Sequence, residues 1–443
     1  METGTPNLQT ENEGGWTAVK NVLGIRDFRL LWLGESISLL GDQFSFIALP
    51  WLVLQLTNDA FAMGIVLAIA GIPRALFMLF GGALTDRFSP RRLMLLTNIA
   101  RMFLVAALSF LILSSVVQLW MIYLFALLFG LADAFFYPAA SAIVPTILPK
   151  HQLQIGNSIT QGTAQLSVFL GPMLAGLVIA FFANQSAIGA NEAAVDIRGI
   201  GIAFGLDAVT FFLSAAMLKL MRHTAVSPAN TTQNVWQSIK EGLLYVWNDR
   251  TLRTVFIVVA ALTVLSVAPI TIGIPVLADE YLENGAAAFG ILMSAYGAGA
   301  LAGIILSGIL PKPPEAKLGT LLFIAVSGMG FLMAGLAFAR TMWLAGGLLL
   351  AIGVLDGWVI IQFTTWLQIR SPEALLGRIM SLLMFAFVGL APVADTVFGG
   401  LVEWNFTAVV FTSGLLLALI SLAAAFQPSI REMGTGVNPA TGD

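Results

Sequence analysis

Residues 118–147 read QLWMIYLFALLFGLADAFFYPAASAIVPTI, and Asp133 is the only charged residue in this stretch. A helix needs about 20 largely apolar residues to cross the roughly 30 Å hydrocarbon core of a bilayer. The stretch is therefore predicted to be a transmembrane helix with one carboxyl group near its centre.

The same pattern recurs along nearly the whole chain of 443 residues, which is 58% hydrophobic and only 10% charged. An ordinary soluble domain is about 25% charged. Together with the first stretch, apolar spans are predicted at 30–56, 61–84, 93–114, 155–183, 200–220, 254–277, 286–310, 317–339, 341–367, 378–402 and 406–426. We therefore predict an all-α membrane protein with about twelve transmembrane helices, which excludes a soluble fold.

Composition also excludes several chemistries. The chain has no Cys and only two His, His151 and His223, so disulfides, thiol nucleophiles, iron–sulfur clusters and His-based metal sites lack their ligands. The net charge of −3 disfavours nucleic acid as a partner, and no Gly-Lys dipeptide exists from which to build a Walker A loop. We predict no cofactor, no metal and no enzymatic activity.

Basic residues predict the orientation in the membrane. They concentrate in alternate loops, and only Arg198 and Arg340 fall on the opposite side. The positive-inside rule then places both termini in the cytoplasm, in a multi-pass protein of the inner (plasma) membrane.

Polar segments divide the chain into five parts. Residues 1–27 are predicted to be a disordered cytoplasmic N-terminus, and residues 427–443 a cytoplasmic tail. Between them we predict two six-helix halves, 28–223 and 254–426, joined by a linker at 224–253. The linker places apolar residues at helical spacing beside charges, which is typical of an interfacial helix.

The two halves share a sequence register. An offset of 223 pairs Trp120 with Trp343, Gly130 with Gly353, Asp133 with Asp356 and Pro149 with Pro372. An offset of 226 pairs Gly64 with Gly290 and Gly82 with Gly308. Internal repeats of this kind are common in secondary transporters, so the halves are predicted to be pseudo-symmetric.

Ionisable residues inside the spans are predicted to face a protein interior or a water-filled cavity, because each costs about 2.5–3.5 kcal/mol in lipid. Counting depth along the helices suggests the ion pairs Asp42–Arg74 and Glu35–Arg101. Asp207 and Asp395 are interpreted as structural polar contacts.

Asp133 and Asp356 are treated separately, because both lie near mid-membrane and the repeat relates them. They are predicted to face each other across a central site, as proton or substrate sites together with Glu35 and Asp42. The alternative is an inter-helix hydrogen bond with no role in turnover.

The loop after the second span reads GGALTDRFSPRR over residues 81–92. It resembles the Gly-x-x-x-Asp-Arg-x-Gly-Arg-Arg signature of the major facilitator superfamily, matched at Gly82, Asp86, Arg87 and Arg91. Ser89 and Pro90 depart from the signature. The resemblance implies the major facilitator fold, with this loop gating the inward and outward states.

The fifth span carries Gly171, Pro172 and Gly176, which resemble the antiporter motif of the superfamily's exporters. Local strings such as Leu40-Gly41-Asp42 also resemble the drug:proton antiporter branch that includes macrolide-efflux and enterobactin-exporter proteins. The resemblance implies proton-coupled export of small amphiphilic or cationic compounds by alternating access. The partners are then a small-molecule substrate, protons and the lipid bilayer, and we expect a monomer.

Three questions stay open at this point. The sequence does not name the substrate. A lysophospholipid flippase of the same fold would show the same pattern. An intramembrane aspartyl protease, using Asp356 and Asp395 as a carboxylate dyad, is a more remote alternative.

Overall fold

The computed structural model describes residues 15–87, 89–149, 152–182, 197–222, 235–282, 285–310, 313–371, 375–431 and 433, although some side chains within these ranges are not described. Helices make up nearly all of this part of the chain, and none of it is β-strand. The first half contains α2 (Arg26–Thr57), α3 (Ala60–Arg87), α4 (Pro90–Leu113), α5 (Leu119–Ile147), α6 (Leu153–Phe182) and α7 (Arg198–Leu220).

The second half begins with α9 (Arg250–Ala268), which continues through a π-helical turn, Pro269–Gly273, into α10 (Ile274–Glu280). It goes on with α11 (Gly285–Ile309), α12 (Leu318–Leu336), α13 (Met342–Arg370), α14 (Leu376–Val402) and α15 (Phe406–Ala425). In the described residues, eleven helices are long and apolar enough to cross a membrane, and α14 contributes a shorter apolar part, Gly389–Val402. The prediction of an all-α membrane protein is confirmed.

In the described residues, three short α-helices lie outside the spans: α1 (Gly15–Gly24), α8 (Val235–Asn248) in the linker, and α16 (Pro428–Arg431). Within the segment 1–27, for which disorder is predicted, the structure describes α1, whose buried Val22 belongs to the same apolar cluster as Phe28. Residues 1–14 lie outside the described residues. The start of the tail is also packed, since the indole of Trp366 donates to the carbonyl of Met433 at 2.5 Å.

The two halves use the same packing scheme. The second helix packs on the fourth in each half, as α3 on α5 and α11 on α13. The third packs on the sixth, and the first on the fifth, again in both halves. These shared pairings confirm the predicted pseudo-symmetry.

The halves meet along two seams, α6 with α11 and α3 with α14. Glycines permit the approach, because a Cβ on Gly64 would lie 2.7 Å from the carbonyl oxygen of Asp395, and one on Gly176 would lie 2.5 Å from that of Ala286. These contacts lie toward the α2–α3 turn, at the face we call the distal face. The opposite face carries α8 and is called the linker face.

Candidate functional site

A cavity of about 400 Å³ lies between the two halves, about midway along the helices. The first half contributes residues of α2, α3 and α5, and the second half residues of the π-helical turn, α11 and α14. Most of the lining is apolar or aromatic, including Phe46, Phe125, Phe129, Phe289 and Met293. Its ionisable groups among the described residues are Asp42, Arg74, Asp133, Tyr137 and Asp395.

Asp133 lies between two arginines. Arg101 is 1% exposed and forms an ion pair with one carboxylate oxygen, while Arg74 lies 3.5 Å from the other. The sequence predicts different partners for these arginines, Asp42 for Arg74 and Glu35 for Arg101. The partner differs because α5 packs against both α3 and α4, so its carboxylate reaches both guanidinium groups.

Aromatic rings surround the buried guanidinium. The Arg101 guanidinium carbon lies 4.0 Å from the ring centroid of Phe136, with Phe129, Tyr137 and Phe211 within 6 Å. A cation over aromatic faces is attracted to the ring quadrupoles, and more strongly when water is excluded. The rings and the carboxylate together compensate a charge that apolar surroundings alone would not hold.

Asp42 also lines the cavity, and among the described residues no basic side chain lies within ion-pairing distance of it. On the opposite wall, the hydroxyl of Thr271 donates to Asp395. Thr271 lies in the π-helical turn, a feature often found at functional sites. Asp395 was interpreted as structural, and the structure gives it a structural hydrogen bond and also a place on the cavity wall.

Asp207 lies in α7 and is fully buried. It accepts hydrogen bonds from the hydroxyls of Ser45 and Thr210. Its predicted structural role agrees with this arrangement, because both donors belong to the α2–α7 packing.

Asp356 does not face Asp133. It lines a separate cavity of about 120 Å³ within the second half, and it accepts a hydrogen bond from the hydroxyl of Tyr296 at 2.7 Å. The expectation of two carboxyls facing each other across one site is therefore wrong. The protease dyad fails for the same reason, because Asp395 lines the central cavity instead.

Glu35 lines a third cavity of about 90 Å³ between α2, α5 and α6. One of its carboxylate oxygens is buried and has no hydrogen-bond partner among the described residues. The structure thus separates Glu35 from the central cavity that holds Asp42.

The loop motif is described only in part. The backbone of Gly82, Asp86 and Arg87 belongs to the end of α3, but their side chains lie outside the description. Arg91 donates from Nε to the carbonyl of Leu218 at 2.7 Å and from Nη2 to that of Lys219 at 2.8 Å. Arg91 therefore caps the carboxyl end of α7 within its own half.

The motif in the fifth span lies at the seam between halves. A Cβ on Gly290 of α11 would lie 2.3 Å from the Pro172 carbonyl oxygen, and the Met173 N–H donates to the Ser294 hydroxyl at 2.9 Å. Gly171 instead approaches Gln43 of α2. The motif is thus a close-packing surface on both sides of α6.

Several site features were missed from the sequence. The π-helical turn has a signal, because Pro269, Gly273 and Pro275 interrupt an apolar run, and Pro removes a helical N–H donor. No sequence signal identifies Tyr296 as the partner of Asp356, because a tyrosine in an apolar span does not indicate which helix it faces.

Known proteins resemble the chain over most of its length. The multidrug efflux pump Tap of Mycolicibacterium fortuitum is 25% identical over 406 residues, which cover 90% of this chain and 95% of that protein. The enterobactin exporter EntS of Escherichia coli O81 (strain ED1a) is 26% identical over 361 residues, 80% of each chain.

Solved structures share the fold. The nucleoside transporter NupG aligns with a TM-score of 0.67 at 13% identity, covering 92% of this chain and 98% of that one. A bacterial homologue of the iron transporter ferroportin aligns with a TM-score of 0.68 at 15% identity, covering 91% and 99%. The family model of the Major Facilitator Superfamily matches residues 31–394. With two pseudo-symmetric six-helix halves around a central cavity, the chain belongs to the major facilitator superfamily.

Proposed function

We propose that this protein is a proton-coupled exporter of small amphiphilic or cationic compounds that works by alternating access. The observation that carries the proposal is the central cavity, because it combines aromatic and apolar walls with the carboxylates of Asp42, Asp133 and Asp395. Such a lining suits a cargo with an apolar body and a positive charge. The drug pump and the siderophore exporter among its relatives support export.

Alternating access is supported by where the halves touch. Both seams are close-packed toward the distal face, where Gly64, Gly176 and Gly290 bring backbones together. With the linker face and both termini in the cytoplasm, as the loop charges predict, the close-packed distal seams support an inward-facing state. Export then requires the seams at the distal face to open while the linker face closes. We place the protein in the inner membrane.

Asp42 is the carboxyl that we assign to proton coupling. It lies on the cavity wall without an ion-pair partner among the described residues, so the loss or gain of a proton there leaves no neighbouring cation unpaired. Asp133 is instead committed to Arg101 and Arg74. Binding of a proton to Asp42 and binding of substrate elsewhere in the cavity would then alternate, which is the simplest form of antiport.

Transport in proteoliposomes tests this assignment. We expect wild-type protein to accumulate a cationic dye against its gradient when a pH gradient is imposed. Asp42→Asn should abolish accumulation yet keep dye exchange down a gradient, because a fixed neutral group cannot carry protons but preserves the cavity. The control is Asp27→Asn, the same exchange on the same helix outside the cavity. Proton-driven accumulation by Asp42→Asn would refute the assignment.

One observation favours a second candidate, flipping of a lysophospholipid. An apolar groove of about 770 Å³ opens between α3, α5 and α14, lined by residues such as Ile72, Leu127 and Val397. Its walls would suit an acyl chain. Movement of a fluorescent lysophospholipid between leaflets, without accumulation of the dye, would favour this candidate over export.

A further inference from the structure

The repeat positions Asp133 and Asp356 equivalently in their halves. A Cβ on Gly130 would lie 2.1 Å from the carbonyl oxygen of Ala70, and one on Gly353 would lie 2.2 Å from that of Tyr296. The offsets of 223 and 226 relate these two contacts. The fourth helix therefore packs on the second in the same register in both halves, one turn from each aspartate.

The third helices differ between the halves. In the first half, α4 supplies the guanidinium of Arg101 to Asp133, within a set of aromatic rings. In the second half, α12 has no charged residue. By the two offsets, the stretch 324–327 of α12 is the repeat equivalent of Arg101. A cavity of about 120 Å³ lies beside this stretch, with Val326 on its wall.

The surroundings of that cavity resemble those of the Arg101 guanidinium. Phe323, Phe363 and Phe387 line it, as phenyl rings surround Arg101 in the first half. Asp356 is the only ionisable group among the described lining residues, and no basic side chain described in the structure lies within ion-pairing distance of it. The Tyr296 hydroxyl occupies one carboxylate oxygen. Among its described residues, the second half thus has the carboxylate and the rings of a cation site but no basic side chain at that site.

We propose that this cavity, with Asp356 and the three phenylalanines on its walls, binds the guanidinium or primary ammonium group of a small organic cation. A carboxylate supplies charge-assisted hydrogen bonds to such a group, and the rings attract its charged face. The volume admits a guanidinium with a short alkyl chain. Phe387 lines both this cavity and the central cavity, so the two lie next to each other. The inference rests on the proposed function in taking this cation as part of the cargo.

Equilibrium binding without any gradient tests the site apart from transport. The probe is propylguanidinium, titrated calorimetrically into purified protein, with neutral propylurea as the matched ligand. We expect binding of propylguanidinium and at least tenfold weaker binding of propylurea. Asp356→Asn should weaken propylguanidinium binding at least tenfold, while Asp249→Asn, an exchange of the same type at the linker face, should leave it unchanged.

Val326→Arg gives an independent test that does not depend on an added ligand. An arginine on α12 should place its own guanidinium beside Asp356, as Arg101 does beside Asp133, and so abolish propylguanidinium binding in a folded protein. In the Asp356→Asn background the same arginine should lower the unfolding temperature sharply, because its charge is then unpaired. Three outcomes would overturn the proposal. The first is equal binding of propylguanidinium and propylurea, and the second is unchanged propylguanidinium binding by Asp356→Asn. The third is an equal effect of Val326→Arg on the unfolding temperature in both backgrounds. If propylguanidinium binds but no gradient drives dye transport, the site stands and the transport proposal fails.

Discussion

At the level of single residues, the arrangement around Asp133 separates charges that hold the fold from charges free for transport. Its carboxylate balances Arg101, which is 1% exposed, and also contacts Arg74, which is one-third exposed to the cavity. A buried charge without its partner is strongly destabilising. Asp133 is therefore first of all a structural counter-ion, and Asp42 is the better candidate for proton exchange.

We expect Asp133→Asn to lower the free energy of unfolding by about 3–5 kcal/mol, since it leaves the Arg101 guanidinium buried and unpaired. The measurement is equilibrium unfolding of detergent-purified protein. Adding Arg101→Met in the same chain should recover most of the loss, because the uncompensated cation is then gone. Wild-type stability of the single variant would show that Asp133 does not serve as the counter-ion.

The sequence predicts that these charges face inward but not which of them pair. Depth counted along a helix gives the height of a side chain and ignores the rotation of the helix about its axis. Arg74 and Asp42 share a depth, yet Arg74 contacts Asp133 because α3 packs closely on α5. The rotation of each helix about its axis is set by tertiary packing. In a membrane span nearly every face is apolar, so the sequence does not show which face packs against which neighbour.

At the level of helices, small residues decide how the halves touch. Gly176 of α6 faces α11 of the other half, where an added Cβ would lie 2.5 Å from the Ala286 carbonyl oxygen and 3.0 Å from the Gly290 Cα. Both neighbours are backbone atoms, so no side-chain rotation can relieve the overlap. Gly162, on the same helix, would meet nothing within 4 Å.

We therefore expect Gly176→Val to separate the halves at the distal face, while Gly162→Val leaves them together. The measurement is the distance between spin labels at Ser114→Cys and Trp343→Cys, which is practical because the native chain has no cysteine. Gly176→Val should lengthen the main distance and reduce proton-driven transport, whereas the control should match the parent. An unchanged distance distribution in Gly176→Val would mean that this seam does not close the distal face.

The interrupted helix α9–α10 could be predicted only in part from the sequence. The run 254–277 predicts one continuous span, and the helix there is long and apolar enough to cross a membrane. Within it, however, Pro269 and Pro275 bracket a π-helical turn that points Thr271 at Asp395. Prolines indicate an irregularity without fixing its geometry. The hydroxyl on the cavity wall follows from that geometry and so could not be predicted.

At the level of the whole molecule, the duplication can be predicted from the sequence, because the residue types of Trp120, Gly130 and Asp133 recur at one offset in the second half. The register implies equal positions, and the packing of Gly130 and Gly353 bears this out. It does not imply equal chemistry. Arg101 has no basic counterpart on α12, so one aspartate is paired internally and the other lines a separate cavity.

The halves are also joined at the distal face by two acidic side chains. Asp59, before α3, and Glu403, after α14, hydrogen-bond to each other, and the Phe61 N–H donates to Glu403 at 3.1 Å. The hydrogen bond to Asp59 raises the pKa of Glu403 above its ordinary 4.5. Partial burial opposes ionisation of Asp59, but its hydrogen bonds from Glu403, Ala62 and Phe61 outweigh this and lower its pKa. When the contact binds one proton, Glu403 is therefore the group that carries it.

Because the pKa of Glu403 is raised only while the halves touch, closure of the distal face gains stability from this proton at low pH and loses it as pH rises through that raised pKa. The lowered pKa of Asp59 makes the same contact weaken again only in stronger acid, as pH falls through that lowered pKa. We expect the closed fraction, read from spin labels at Ser114→Cys and Trp343→Cys, to be larger at pH 5 than at pH 8. Glu403→Gln should remove this dependence, because its amide donates to Asp59 at either pH. A pH response that survives in Glu403→Gln would place the sensor elsewhere, and the closing and opening of this face would then have to be coupled to a different group.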